Sequence, residues 1–483
     1  MTDPPTTPTQ DTPGKKTAGY RSRTALLFAI SEIIGKSASF ALFAVASRVL
    51  GPDGFGEYSW AMAVGAIVAS VDMFGFDMAL IQLGERHRTR VADYLTSSLV
   101  LRIVIGAIGV GVVSVMPLSN PQARTLLVVV TVALSLENLS TGFRAAASTV
   151  DRQRGPAVVI IIQRVTTAIV SVSLLLAGFG VIGMSVALLA GTALGVCTLW
   201  IIAIRIGIGP SPRKLHRDSS IALVRKSILP GLANTMNMGT TRVDLIALER
   251  RGDAAAVGYF GAAFKLVETS LFISDSLIRS ALPEMLYAKT PQRVGEIVRT
   301  VFATDAVFYF PVAAALVLRG GDIMAVVFGA EFAAGGSAAA ALAGALIAWV
   351  ALSTLTTALL VRHRSRDVAA CAGATLAVKL VIIWPLVNAY GAVGAGLAAT
   401  IAFTVQASLL WWRLSHYGAR PRMGTSLLPP LLASAAMAPA ALMLTSFWWA
   451  ALASATVYAV VWLALARWLD PGSIRRVTAI VGK

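Results

Sequence analysis

From Ala25 to Val49 the chain is a nearly continuous apolar run that holds Glu32 and Lys36, and the turn LGPDGFGEY then launches a second apolar run at once. A helix rising about 1.5 Å per residue crosses a hydrocarbon core about 30 Å thick in about 20 such residues. A charge inside such a helix is tolerated where it faces protein or a wet cavity. The pattern recurs along the whole chain: 56% of its 483 residues are hydrophobic, 13% are charged, and mean hydropathy is +0.74. A soluble fold of this length has too little interior to hide that much apolar surface. The expected fold is therefore an all-α polytopic membrane protein.

Fourteen spans are predicted, at 25–49, 56–82, 93–117, 123–145, 156–178, 181–205, 226–248, 254–280, 298–318, 333–360, 367–387, 391–414, 427–446 and 449–468. The formal charge of +17 is concentrated in alternate breaks, such as Arg86, Arg88 and Arg90, then Arg152 and Arg154, then Arg213, Lys214 and Arg217, then Arg362, Arg364 and Arg366. The breaks at Gly180, Gly391 and Trp448 carry no basic residue. Cytoplasmic loops hold the excess of Lys and Arg, so both termini are expected in the cytoplasm, and the basic balance needs no nucleic acid to explain it. Residues 1–23 are read as a disordered cytoplasmic tail without the apolar core of a signal peptide. Cys197 and Cys371 lie in apolar runs and read as small core hydrophobes.

A polar break over 206–225 separates a first six-helix lobe (24–205) from a second (226–414), with two further helices and a tail after them (415–483). The halves echo one another. An offset of 201 sets Gly51 on Gly252 and Tyr58 on Tyr259, and one of 211 sets Gly180 on Gly391. Two pseudo-symmetric bundles facing each other are the geometry that alternating access uses.

Charges inside the spans mark the candidate site. Lys265, Glu268, Asp275 and Arg279 are spaced 3, 7 and 4 apart, so a continuous helix puts them on one face. Such a stripe either lines a cavity or pairs within the helix to stabilise the bundle. Four charges exceed what one packing contact needs, which favours the cavity. Asn234, Asn237, Thr241 and Asp244 form a matching stripe on the preceding span, with Pro230-Gly231 as a hinge or a static kink. Lys36 lies near the midplane of the first span with Glu32 one turn away, and the 201 offset sets it on Asn237. Asp72 and Asp77 are about 140° apart on a continuous helix and form no clamp. Arg102, Glu137, Arg164, Asp305 and Lys379 are further charges; Arg102 and Lys379 are deepest, whereas Arg164 and Asp305 are near enough to span ends to snorkel.

A basic cavity suits an anionic group such as a diphosphate, whose oxygens accept hydrogen bonds from Lys and Arg. The candidate substrate contacts are accordingly Lys36, Arg102, Lys265, Glu268, Asn237 and Asp244. The candidates for coupling or gating are Glu32, Asp72, Asp77, Asp275, Arg279 and Lys379. No G-x-x-x-x-G-K-[ST] motif occurs and all four histidines lie between spans, so no catalytic centre, metal site or cofactor is expected. Work must then come from an ion gradient (Na+ or H+, unassigned), the membrane potential, a substrate gradient or a partner.

SRVLGPDGFGEYSWAMAVGAIVASVDMFGFDMALIQ (47–82) resembles the opening motif of the polysaccharide and oligosaccharide flippases. In that family an LGP-x-x-FG-x-Y turn, here Leu50 to Tyr58, joins the first two spans, and an Asp-x-x-Gly-like segment, here Asp72 to Gly75, follows. VGYFGAAFKLVETSLFISDSLIRSALPEM (257–285) is similar to the family's eighth span, and GDIMAVVFGAEFAAG (321–335) to the turn before its tenth. The resemblance covers most of the chain. It implies fourteen spans and export of O-antigen, capsule or exopolysaccharide repeat units, linked to undecaprenyl diphosphate, across a bacterial inner membrane. In the wider superfamily of multidrug, oligosaccharidyl-lipid and polysaccharide exporters, members with lipid-linked cargo engage its diphosphate with basic residues of a central cavity. Lys36 and Lys265 match those by position, and Arg102 more weakly. A monomer working beside a glycan polymerase and glycosyltransferases is the implied setting. A cation-coupled multidrug exporter, with a compact carboxylate-led cavity, and a lipid II flippase stay open as alternatives. A membrane glycosyltransferase would need a concentrated catalytic loop, and the sequence has none.

Overall fold

The computed structural model describes residues 16–118, 120–152, 154–421, 424–469 and 472, with the backbone alone over 16–34 and at 36, 424 and 425. Fifteen α-helices and no strand form among them. The first half holds α1 (Lys16–Met73), α2 (Phe76–Arg86), α3 (Val91–Ser114), α4 (Pro121–Thr149), α5 (Arg154–Leu176) and α6 (Gly180–Arg205). The second holds α7 (Arg217–Glu249), α8 (Ala254–Ser270), α9 (Phe272–Tyr287), α10 (Pro291–Phe328), α11 (Gly336–Val361) and α12 (Ser365–His416). The chain then continues through α13 (Leu428–Ala436), α14 (Ala438–Met443) and α15 (Phe447–Leu469).

Ten stretches are long and apolar enough to cross a membrane, among them Ser37–Arg86 and Ser365–His416. A straight helix of 58 residues, the length of α1, would run about 87 Å, roughly three membrane cores. It does not run straight: Gly51 takes φ 65°, open to glycine without a steric cost, and the helix reverses there. Gly391, at φ 56°, does the same for α12. Counted with those two reversals, α7 and the broken pair α13–α14, the described helical segments correspond one to one with the fourteen expected spans, of which α7 and α13–α14 fall short of the length or apolarity that the others reach. The polar stripe of α7 dilutes its hydropathy, so apolarity alone misses that pass.

Local signals place the helix starts. Asn120 caps α4, accepting from the Gln122 amide at 2.9 Å ahead of Pro121, and Asp253 caps α8 through the Ala256 amide at 2.9 Å. Three expected boundaries move. The tail drawn to residue 23 ends sooner, because α1 starts at Lys16; residues 1–15 lie outside the described residues. The loop drawn over 206–225 shortens, because α7 begins at Arg217 with Asp218 in its first turn, where a carboxylate complements the helix dipole. The span read as 427–446 is split between α13 and α14, where Pro439 removes a backbone donor.

In the first half α1 packs on α4 and α5, and α6 covers both; in the second α11 lies between α10 and α12, and α12 packs on α7. The halves meet through α1 against α8 and α2 against α7, while α13–α15 lie on α10. At the Gly51 end the contact is reciprocal. A β-carbon on Gly56 would overlap the Ala254 carbonyl, and one on Gly258 would overlap that of Pro52. The two contacts are related by an offset of 202, one residue more than the 201 that relates Gly51 to Gly252. Gly51 and Gly252 share a left-handed conformation, as do Gly180 and Gly391. The same end is sealed by Ser47 Oγ donating to the Phe328 carbonyl at 3.0 Å and by Phe55 edge-on to Phe332 at 5.8 Å. Toward the other end Gly75 abuts Ser227 to Gly231, and Thr235 donates to the Ser70 carbonyl at 3.3 Å. The halves are thus joined at both ends, with space between.

Candidate functional site

That space is a cavity of about 440 Å³. Ser39, Phe43, Tyr58, Glu137, Gln163 and Arg164 line it from the first half, and Lys265, Glu268, Thr269, Asp275 and Trp349 from the second. Its charged groups are arranged alike on the two walls. On α8, Glu268 accepts from Lys265 Nζ at 3.0 Å and from Arg242 of α7 at 2.9 Å. On α4, Glu137 lies 3.6 Å from Arg164 and 3.9 Å from Arg144, and accepts from Gln163 at 2.8 Å. Each half therefore presents one carboxylate held between two cations. Aromatic faces add to this: Lys265 Nζ stands 4.7 Å from the centroid of Phe43, across the inter-half boundary, and Arg242 lies over Phe264.

Each glutamate has two cations beside it, and of these four cations Arg164 and Lys265 line the cavity, together with a third acid, Asp275. Apolar walls from Phe43, Leu134, Leu188 and Trp349 lower the local dielectric and strengthen any new charge-assisted hydrogen bond. The arrangement can accept a compact polyanion, with the carboxylates as the groups that it must displace.

The structure sorts the expected site residues into three sets. Lys265, Glu268 and Asp275 line the cavity as one group, although the helix that carries them breaks at Leu271. The break turns Arg279 out of the lining and onto an exposed stretch of α9. A second set is locked inside the halves. Arg102 is 1% exposed, pairs with Asp77 at 2.6 Å, and donates to Ser98, Thr141 and the Asn138 carbonyl, so its guanidinium is committed to the α2–α3–α4 interface and does not reach the cavity. Asp72 accepts from Asn138 in the same network. The acids converge there because Phe74 (φ 22°) and Gly75 (φ 69°) interrupt the helix on which a 140° separation was reckoned. Lys379 and Asp244, both without exposed surface, pair at 2.6 Å between α12 and α7. Asn237 accepts from Gln406 at 2.8 Å, and Asn234 faces Met73. The α7 stripe thus turns toward α12 and α1, not into the cavity. The third set is Glu32 and Lys36: their backbones lie in α1 and their side chains are outside the described residues.

Two cations at the site differ from the expectation, Arg164 in the cavity wall and Arg242 behind Glu268. Arg164, read as snorkelling, lines the cavity and reaches Ser39 Oγ at 3.5 Å. Arg242 lies off the α7 stripe and was passed over; its spacing from Asp244 gives no hint of a partner that comes from the next helix. Asp305, the other group read as snorkelling, is 0% exposed and accepts from Ser274 Oγ at 2.9 Å.

Comparison with known proteins agrees with this architecture. A family described as "Polysaccharide biosynthesis protein" matches residues 45–335. Among solved structures, "Lipid II flippase MurJ, inward closed conformation" matches with a TM-score of 0.74 at 16% identity, over 92% of this chain and 99% of that one. A MOP superfamily transporter from Pyrococcus furiosus, whose description reports a binding pocket of reversed polarity, matches with a TM-score of 0.59 at 14% identity, over 84% and 100%. The Vibrio cholerae MATE transporter VcmN in its bent form gives 0.55 at 13% identity, over 87% and 99%. At these identities the likeness is one of fold. No curated protein sequence matches the chain.

Proposed function

Because the chain belongs to the polysaccharide biosynthesis protein family, we propose that it is a flippase that moves a polyprenyl-diphosphate-linked oligosaccharide across the bacterial cytoplasmic membrane by alternating access. The carrying observation is the pair of carboxylate-centred cation clusters, Glu137 with Arg164 and Glu268 with Lys265, in the walls that the two halves give one cavity, each glutamate backed by a further arginine, Arg144 and Arg242. A diphosphate offers two adjacent anionic groups, one for each wall, and on binding it draws the walls together. Its oxygens accept from Lys265, Arg242 and Arg164 in place of the glutamates. Nothing in this reading makes or breaks a covalent bond, so the protein acts as a transporter and not as an enzyme.

The lipid tail needs an apolar path outside the polar cavity. An open apolar groove of about 920 Å³, lined by Phe302, Phe310, Ile347, Trp411 and Leu431 between α10, α11, α12 and α13, offers one. Cationic drugs suit this part of the cavity less well than an anion does, because Glu137 and Glu268 already hold two cations each. Lipid II shares the diphosphate chemistry and differs in its sugar and peptide. The test is depletion in cells: diphosphate-linked repeat units should accumulate, and wild type should clear them. Lys265→Ala and Arg164→Ala proteins that insert normally should not. If depletion changes neither these intermediates nor surface glycan, the proposal fails.

A further inference from the structure

Among the described residues, most acids within the spans have a cation beside them: half-buried Asp77 has Arg102, Glu137 has Arg164 and Glu268 has Lys265 and Arg242, and buried Asp244 has Lys379. Asp72, held by Asn138, still feels the charge of Arg102. Asp305 on α10 is different. It is fully buried and forms no ion pair among the described residues; Ser274 Oγ reaches its Oδ2 at 2.9 Å, and its Oδ1 has no partner. The charged group that acts on it is another acid, Asp275 of α9, with Arg279 one turn further along the same helix. Neither α11 nor α13, which also pack on α10, contains a charged residue, and α15 contains only Arg467 near its end. A lone carboxylate in such a place is far costlier to hold as an anion than as a neutral acid.

Its neighbours connect it to the moving part of the site. The break between α8 and α9 at Leu271 leaves backbone groups without helical partners. Tyr309, one turn after Asp305, fills the gap: its hydroxyl accepts from the Ser274 amide at 3.1 Å and donates to the Ser270 carbonyl at 2.8 Å. Asp305 and Tyr309 thus staple the break from α10. Above the break α8 carries Lys265 and Glu268; below it Asp275 lines the cavity and adjoins Ser274, giving Asp305 a short route to cavity water.

We propose that Asp305 is a proton-binding site that couples the transport cycle to H+. In the conformation described, the acid is neutral, Ser274 Oγ donates to its Oδ2, and the break stays stapled. When its proton passes by way of Asp275 to cavity water, a bare carboxylate is left buried on α10, and its hold on Ser274 changes. α9 then swings from α10 about Leu271 and re-aims Asp275 in the cavity wall, opposite Lys265 and Glu268 of α8. Reprotonation from water on the other side of the membrane restores the staple, so one proton crosses per cycle. The coupling role rests on the transport reading above; the bound proton does not.

The test is infrared difference spectroscopy of the whole protein in liposomes across a pH titration, reading the C=O stretch of neutral carboxylic acids, together with transport under an imposed pH gradient. Wild type should show a band that disappears at alkaline pH, is absent from Asp305→Asn, and shifts in frequency in Ser274→Ala, which removes the hydrogen bond without touching the acid. Asp305→Asn, isosteric with the neutral acid, should lose stimulation by the pH gradient. Identical bands in wild type and Asp305→Asn, no shift in Ser274→Ala, or unchanged stimulation in Asp305→Asn would overturn the proposal. A band that behaves as expected in a protein that moves no lipid-linked oligosaccharide would instead overturn the assigned cargo and leave the proton site standing.

Discussion

At the scale of single residues, the intramembrane charges divide by what surrounds them, and the division predicts opposite phenotypes. Lys379 and Asp244 have no exposed surface, so removing one partner leaves an uncompensated charge in the core. Lys379→Met should destabilise the protein by about 3–5 kcal/mol, and pairing it with Asp244→Asn should recover most of the loss. Thermal unfolding in detergent, followed by size-exclusion chromatography, checks both. Lys265→Ala, on a wetted wall, should leave the melting temperature near wild type while transport falls about tenfold or more. Glu268→Gln tests the displacement step. It keeps the shape and removes the competing carboxylate, so the variant should bind inorganic pyrophosphate more tightly than wild type in calorimetry; unchanged or weaker binding would mean that Glu268 is not what the anion displaces. Lys265 and Glu268 were legible from the sequence because they lie three apart on one uninterrupted helix. Arg242 and Arg164 were not, since a cation's orientation depends on a glutamate supplied by another helix. Arg102 misled for the same reason: depth in a span is readable, but the Asp77, Asn138 and Thr141 groups that consume it come from two other helices.

At the scale of elements, breaks and close approaches decide more than helix periodicity does. The Gly51 and Gly391 reversals were legible because glycine beside an apolar run has few other uses. The interruption at Leu271 was not, because leucine signals no stop, and that at Phe74–Gly75 was overlooked although its glycine is such a signal; each interruption rotates everything beyond it. That rotation brings Asp72 and Asp77 into one network and turns Arg279 away from the cavity. The Gly56 and Gly258 seam has a testable consequence. A side chain at either position collides with a backbone carbonyl of the opposite half, which has no rotamer to yield. Gly56→Leu or Gly258→Leu should part the halves at this end, and a cysteine at Tyr58, buried in the wild type, should then react with a membrane-impermeant thiol reagent. Equal labelling with and without the seam substitution would show that the glycines do not hold this end closed.

At the scale of the whole molecule, the two halves are bodies joined by seams at either end of a charged cavity, with α13–α15 set against α10 beside an apolar groove. That layout suits a cargo with a polar anionic head and a long apolar tail: the head enters between the halves while the tail stays in lipid. The most direct measurement is translocation of a labelled lipid-linked oligosaccharide in liposomes containing the purified protein, read as access to an impermeant glycosidase. The account predicts that access rises from one leaflet's share toward the whole pool for a polyprenyl diphosphate carrier, that a monophosphate carrier crosses far more slowly, and that Lys265→Ala and Arg164→Ala block the rise. Diphosphate and monophosphate carriers crossing at equal rates, or no crossing by the wild-type protein, would contradict it.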